Sequence, residues 1–208
     1  MKFIKKSILF LILLLAFTLT ACSTLSVKYY NDVGFAQYTQ GKYDEAIKNF
    51  NKAIEINPKS EIPYNNLGLT LYYQKKYDEA IKNFNKAIEL NSKFDSAYNN
   101  LGLALFSQDK YDEAINNFNK AIELDPKIEQ AYSNLGFALY AKRNYDEAIK
   151  NYNKAIELNP KHQVVYTDLG LALEAKGEKA KARQAFKKAL SLKPDDNIAK
   201  SELDCLGN

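Results

Sequence analysis

The sequence predicts an all-α solenoid of five consecutive helix-turn-helix repeats followed by a C-terminal capping helix. Three observations predict it. Glycine recurs every 34 residues, at Gly34, Gly68, Gly102, Gly136 and Gly170. In the same register come a tyrosine before each glycine (Tyr30, Tyr64, Tyr98, Tyr132, Tyr166) and, after it, an alanine (Ala46, Ala80, Ala114, Ala148, Ala182), a ring (Phe50, Phe84, Phe118, Tyr152, Phe186) and a second alanine (Ala53, Ala87, Ala121, Ala155, Ala189). Within each copy the apolar residues keep helical spacing, as at Tyr64, Leu67, Gly68 and Leu71, which fall on one stripe. One such hairpin cannot bury its own apolar surface, but stacked copies form a continuous core.

The first element precedes the repeats. Lys2, Lys5 and Lys6 are followed by an unbroken apolar run from Ile8 to Phe17 and then by Leu19-Thr20-Ala21-Cys22. The run is shorter than the roughly 18 to 20 apolar residues that cross a ~30 Å hydrocarbon core, so it reads as a cleaved export signal and not as a transmembrane helix. Leu19-Thr20-Ala21-Cys22 resembles the lipobox of bacterial lipoproteins, in which a diacylglyceryl group joins the cysteine thiol and the preceding peptide bond is cut. The resemblance implies that residues 1–21 are a lipoprotein signal peptide and that Cys22 is the lipidated first residue of the mature chain. An ordinary signal peptide with an incidental cysteine is the alternative. One acyl chain attaches marginally and two or more stably, since each buried methylene adds about 0.8 kcal/mol. Ser23 resembles the residue that sends enterobacterial lipoproteins to the outer membrane; in a cell with one membrane the same anchor would sit on its outer face. Residues 22–26 read as a lipidated tether. At ~3.4 Å per residue, Ser23 to Ser26 reach about 15 Å, which keeps the first repeat near the lipid.

Composition excludes other classes. Of 208 residues, 46% are apolar and 26% charged, which is not the balance of a disordered chain. The net charge of +4 belongs to the leader: beyond Lys2, Lys5 and Lys6, 26 basic residues face 25 acidic ones. Lysine and glutamate are interspersed there and offer no basic stripe to a phosphate backbone, so nucleic acid is not an expected partner. Cys22 and Cys205 stand at opposite ends and form neither a disulfide framework nor a metal-ligand spacing.

The repeats occupy residues 27–60, 61–94, 95–128, 129–162 and 163–196. In the second, Gly68 costs an isolated helix about 1 kcal/mol against alanine, so it is expected to permit a close helix crossing. Gln74 to Tyr77 form the turn. Asp78 and Glu79 open the second helix, where negative charge complements the helix dipole by roughly 0.3 to 1 kcal/mol. Ala80, Phe84 and Ala87 are its buried stripe. Pro58, Pro126, Pro160 and Pro194 are expected to stop the second helices. This pattern resembles the tetratricopeptide repeat, whose signature sets an aromatic, Leu-Gly, a large residue and later Ala, Phe, Ala and Pro within 34 residues. The resemblance covers residues 27 to about 196 and implies a right-handed superhelix whose first helices line a concave groove. Tyrosine replaces the first-helix tryptophan throughout, Ser92 replaces one closing proline, and the fifth copy has GEKAKARQAF where the others carry YDEAI. Residues 197–208 read as the capping helix, with Ala199, Leu203 and Leu206 on one stripe. Cys205 beside that stripe is expected to be half-buried, a redox or intermolecular role being the alternative.

By the same resemblance, a second stripe on each first helix faces the groove. It comprises Asn65, Leu69, Tyr72 and Tyr73 in the second copy, Phe35 and Tyr38 in the first, and Asn99, Leu103 and Phe106 in the third. Phe137 and Tyr140 follow in the fourth, with Leu171 and Glu174 in the fifth. Rings in a row suit burial of a peptide's side chains, and asparagines suit its backbone. Two readings stay open, a ligand surface or packing of Leu69, Leu103, Phe137 and Leu171 between neighbouring first helices. Tyr72, Phe106 and Tyr140 are expected to be the most exposed. The lysine-asparagine clamp by which chaperone adaptors of this family hold a C-terminal carboxylate is absent, since the relevant places hold Ile62, Ser96, Gln130 and Leu69.

Catalysis is not expected. His162, in the Pro160-Lys161-His162 connection, reads as solvated. The pairs Asp44-Glu45, Asp78-Glu79, Asp112-Glu113 and Asp146-Glu147 recur, whereas a catalytic carboxylate pair is needed once. There is no phosphate-binding glycine loop, nucleophile elbow or metal cluster, so no cofactor is expected. What remains is binding of a peptide or partner protein at a membrane, as lipoproteins of this family do in pilus assembly, outer-membrane biogenesis or recruitment of cell-wall enzymes. The alternative is a structural role in which copies pack end to end as a homo-oligomer.

Overall fold

The computed structural model describes residues 24–207; the signal segment 1–21, Cys22 and Ser23 lie outside the described residues. Every regular element among the described residues is a helix. The chain divides into two compact units, residues 1–92 and 93–208. The first holds α1 (24–39), α2 (Tyr43–Ile56), α3 (Glu61–Tyr73) and α4 (Tyr77–Leu90). The second holds α5 (Asp95–Phe106), α6 (Tyr111–Leu124), α7 (Glu129–Ala141), α8 (Tyr145–Leu158), α9 (Gln163–Ala175), α10 (Lys179–Leu192) and α11 (Asn197–Cys205). Helix α1 already begins at residue 24, so the last part of the expected tether is helical.

Consecutive helices pack against one another within each unit, and in the second unit α5 also touches α7, α7 touches α9, and α9 touches α11. The hairpins are closed by the repeat glycines. A Cβ at Gly68 would fall 2.8 Å from Phe84 Cδ1 and 3.2 Å from the Ala80 carbonyl oxygen. The same ring sits on the same glycine at Gly34 with Phe50, Gly102 with Phe118, Gly136 with Tyr152 and Gly170 with Phe186. Those rings, and the alanines on either side of them, are essentially without solvent contact. Small residues bring the two helices together, and the ring fills the space left between them.

The turn inside each hairpin takes a left-handed residue at position 41, 75, 109, 143 and 177. Glycine occupies only the first and last; Lys75, Asp109 and Arg143 hold φ near 60° in the others. In each, the residue after the left-handed one donates its amide back to the last turn of the first helix, as Lys76 does to Leu71 at 2.9 Å and Asn144 to Leu139 at 2.9 Å. Such a bond satisfies an orphaned helix-end carbonyl. The prolines follow the helix stop in four copies but are not required for it: α4 ends at Leu90 with the same extended Asn91 although Ser92 stands where the other copies have proline. The stop is the extended residue at 57, 91, 125, 159 and 193. At Asn57, Asp125 and Asn159 the side chain then accepts the amide two residues on, which is an Asx-turn.

Polar ladders hold successive hairpins in register. The Asn66 amide donates to Asn31 Oδ1 at 2.9 Å, and the Asn134 amide to Asn99 Oδ1 at 2.9 Å. The Asp-Glu pairs do open helices, and the aspartate adds a tie to the next hairpin: Gln74 donates to Asp44 at 2.8 Å, Lys176 pairs with Asp146 at 2.6 Å, and Lys142 pairs with Asp112. Helix α11 covers the last hairpin with Ala199 fully buried and Leu203 and Leu206 half-buried. Cys205 is exposed and not half-buried as expected, because it falls off that stripe.

The glycine contact makes a direct prediction. Gly136→Ala gains helix propensity of about 1 kcal/mol, but its methyl would fall 2.7 Å from Tyr152 Cε1. With the ring enclosed, the variant is expected to be less stable by about 1 to 3 kcal/mol, read from urea unfolding followed by circular dichroism.

Candidate binding surface

The outward rows of the first helices carry aromatic rings, and each row is extended by the tyrosine that opens the next helix. In the first unit, Tyr38 lies 5.6 Å from Tyr73 and 6.0 Å from Tyr43, centroid to centroid, and Phe35 lies 5.8 Å from Tyr38. Tyr72 packs edge-on against Tyr73 at 5.5 Å and against Tyr77 at 5.7 Å. In the second unit, Phe106 meets Phe137 at 5.0 Å and Tyr111 at 5.2 Å, and Tyr140 meets Tyr145 at 5.6 Å. Tyr43, Tyr77, Tyr111 and Tyr145 are missing from the expected stripe, although their 34-residue recurrence marks them, and Tyr77, expected to end the turn, is the first residue of α4.

Exposure within the rows differs from expectation. Tyr73 is 52% exposed, Phe137 46% and Phe35 47%. Tyr72, Phe106 and Tyr140, expected to be the most open, are half-buried because the helix-opening tyrosines cover one side of each. Leu69, Leu103 and Leu171 are half-buried too. Asn65 and Asn99 are buried, so they do not present amides to a peptide; Asn99 accepts from Asn134 instead. Phe137 is thus a surface residue, and the packing alternative fits Leu69, Leu103 and Leu171. Burial raises the Tyr38 hydroxyl well above its ordinary range, as do its hydrogen bond and charge coupling to Tyr73, which keeps it neutral.

The far end of the second unit is acidic. Tyr140 is raised by burial first and then by Tyr145, Glu174, Glu202 and Asp168, which gather around it. Asp168 is pushed up to about 6 by burial and by Asp196, against the pull of His162. His162 is not a free loop side chain: its Nδ1 lies 2.7 Å from Oε1 of the buried Glu129. Burial would raise Asp196 as well, but bonds from the Thr167 hydroxyl and from the Ala199 and Ile198 amides hold it below the ordinary carboxylate range. Asp196 thereby caps α11. Among the described residues no three histidine, cysteine or carboxylate side chains are placed to hold a metal ion, and no helix is long and apolar enough to cross a membrane.

Comparison with known proteins bears on the fold. Residues 60–127 and 127–195 match the family described as tetratricopeptide repeat, and residues 34–75 match a second family described as TPR repeat. No curated protein matches the chain. Among solved structures, MamA is 32% identical, with 86% of this chain and 96% of that one covered and a TM-score of 0.68. YrrB, a TPR protein with an unusual peptide-binding site, is 22% identical over 84% of this chain and 90% of that one, with a TM-score of 0.68. PilF of Pseudomonas aeruginosa is 22% identical over 88% of each chain, with a TM-score of 0.78.

Asp168 stands at the repeat position held by Asn66, Asn100 and Asn134. Because folding raises its carboxyl to about 6, the folded state binds that proton more tightly than the unfolded chain does. The stability it contributes is full below about pH 4 and is lost as pH rises through about 6. Asp168→Asn is expected to stabilise the protein by about 1 to 2 kcal/mol at pH 7.5 and by little at pH 4. Urea unfolding at the two pH values checks this; an equal gain at both would contradict it.

Proposed function

The chain belongs to the tetratricopeptide-repeat family, and from that premise we propose that it is a membrane-anchored scaffold that holds a peptide or partner protein on its first-helix aromatic rows. The observation that carries this is the exposure of Phe35, Tyr73 and Phe137. Each stands on an ordered helix whose other face is locked in the core. A large ring on a rigid element gives a partner apolar area with little loss of side-chain freedom. The tyrosine hydroxyls add hydrogen-bonding ends to the same surface. Binding rather than catalysis fits the family, and the recurrence of the carboxylate pairs fits ties between hairpins.

The anchor in this proposal is the lipid on Cys22, and the setting is the cell envelope. Its support is the order of the N-terminal residues, a basic start, an apolar run and Leu19-Thr20-Ala21-Cys22. The partner's segment is expected to bring apolar side chains to the exposed ring of one unit, Tyr73 in the first or Phe137 in the second.

The test uses the lipidated protein crosslinked in cells beside a Tyr73→Ala, Phe137→Ala variant. Both side chains are about half exposed, so the variant is expected to stay folded by circular dichroism. Partners recovered with the parent and reduced at least about tenfold with the variant would support the proposal, since each lost aromatic anchor typically costs more than 1 kcal/mol. Equal recovery would contradict it.

A further inference from the structure

The two ends of the repeat array are finished differently. Five residues before each repeat glycine stand Pro63, Ala97, Ala131 and Val165, and two residues after it stand Thr70, Ala104, Ala138 and Ala172; all are fully buried. In α11 the corresponding Ala199 is fully buried as well. Within the second unit these positions form the face of a first helix that the preceding hairpin covers, as the contacts of α7, α9 and α11 with the helices before them show. In α1 the same positions are Tyr29, which is 62% exposed, and Ala36, also exposed. Helix α1 is already helical at residue 24, three residues earlier in the repeat than the starts of α3, α5, α7 and α9, and this added turn carries Leu25, 70% exposed. Leu25, Tyr29 and Ala36 lie on one stripe, at i, i+4 and i+11. An array with an apolar end face left open lacks the polar cap that solubility ordinarily requires.

We propose that this open face of α1 is a membrane-contact surface, and that its first two turns lie in the interface of the bilayer that holds the lipid on Cys22. The inference rests on the reading of Cys22 as a lipidated first residue. On that reading no hairpin precedes α1 in the mature chain, and a single residue lies in sequence between the lipidated cysteine and the first described residue of α1. The acyl chains then enter the bilayer within about 7 Å of the helix start, which leaves α1 no room to stand away from the headgroups. Leu25 offers an apolar side chain to the acyl region, and Tyr29 an apolar ring with a polar tip at the headgroup level. Lys28, exposed on the same two turns, adds attraction for anionic lipid. Asp32, exposed on the same stripe one turn beyond Tyr29, limits the contact to the helix start. A second copy of the chain is the competing occupant, and the test separates the two.

The experiment uses the full lipidated protein in vesicles of phosphatidylethanolamine and phosphatidylglycerol. With Cys205→Ser to remove the exposed thiol, an environment-sensitive nitrobenzoxadiazole label is placed through Tyr29→Cys, or through Ile198→Cys on the exposed face of α11. The label at 29 is expected to shift to the blue and to be quenched by about half by spin-labelled lipid, while the label at 198 stays aqueous. If the protein stays on the vesicles but the label at 29 is as aqueous as that at 198, the membrane contact is overturned and the anchor stands. If the parent does not stay with the vesicles at all, the anchor reading fails and takes the inference with it. A label at 29 that is shielded but untouched by quencher lipid, with a doubled mass in detergent, would assign the face to a second copy and overturn the inference.

Discussion

The seating of one ring on one glycine in every hairpin is the constraint on which the rest depends. With no Cβ at Gly34, Gly68, Gly102, Gly136 or Gly170, the ring sixteen residues later lies against helix backbone, where any side chain would collide with it. That contact fixes the distance between the two helices of a hairpin and the rotation of each about its axis. Once rotation is fixed, every other position has a set address: the alanines face inward, positions five before and two after Gly136 and Gly170 face the preceding hairpin, and the aromatic row faces out. A helix interior glycine is intrinsically unfavourable by about 1 kcal/mol, so its appearance at five successive points reflects the packing and not the helix.

The surface follows from the same geometry. A core that seats one ring per hairpin among alanines and leucines leaves further aromatics to the outward rows, where Tyr38, Tyr43 and Tyr73 cluster in the first unit and Phe106, Tyr111 and Phe137 in the second. The rows are stiffened from both sides, by the helix-opening tyrosines and by asparagine and aspartate ties to neighbouring hairpins. This is how a repeat built for stacking also supplies a preorganised surface, which lowers the ordering cost of binding. The carboxylates of Glu174, Glu202 and Asp168 near Tyr140 give the second unit's row an acidic end.

Helix order, the glycine crossings and the buried alanine stripes are legible in the sequence because each depends on a feature repeated in phase. The left-handed turn residues are less so, since only Gly41 and Gly177 announce them while Lys75, Asp109 and Arg143 take the same conformation under the pull of the helix-end hydrogen bonds. The prolines read as stops because proline is a strong local signal, yet α4 ends in register without one. At the surface, residue type misleads: Asn65 and Asn99 look like free amides in sequence but are buried, and Tyr72, Phe106 and Tyr140 look open because nothing local reveals the tyrosine five residues on that covers each. His162 reads as solvated because its partner, Glu129, lies 33 residues away. Exposure depends on contacts between elements, which periodicity within one element does not contain.

The most direct test of the central claim, that the first-helix aromatic rows are the recognition surface, is to select binders from a random peptide library on the intact protein and map where they crosslink. The account predicts peptides rich in apolar or aromatic anchors, with crosslinks concentrated at Phe35, Tyr73 and Phe137. Crosslinks concentrated instead on the second helices, for instance at the lysines of α10, would contradict it.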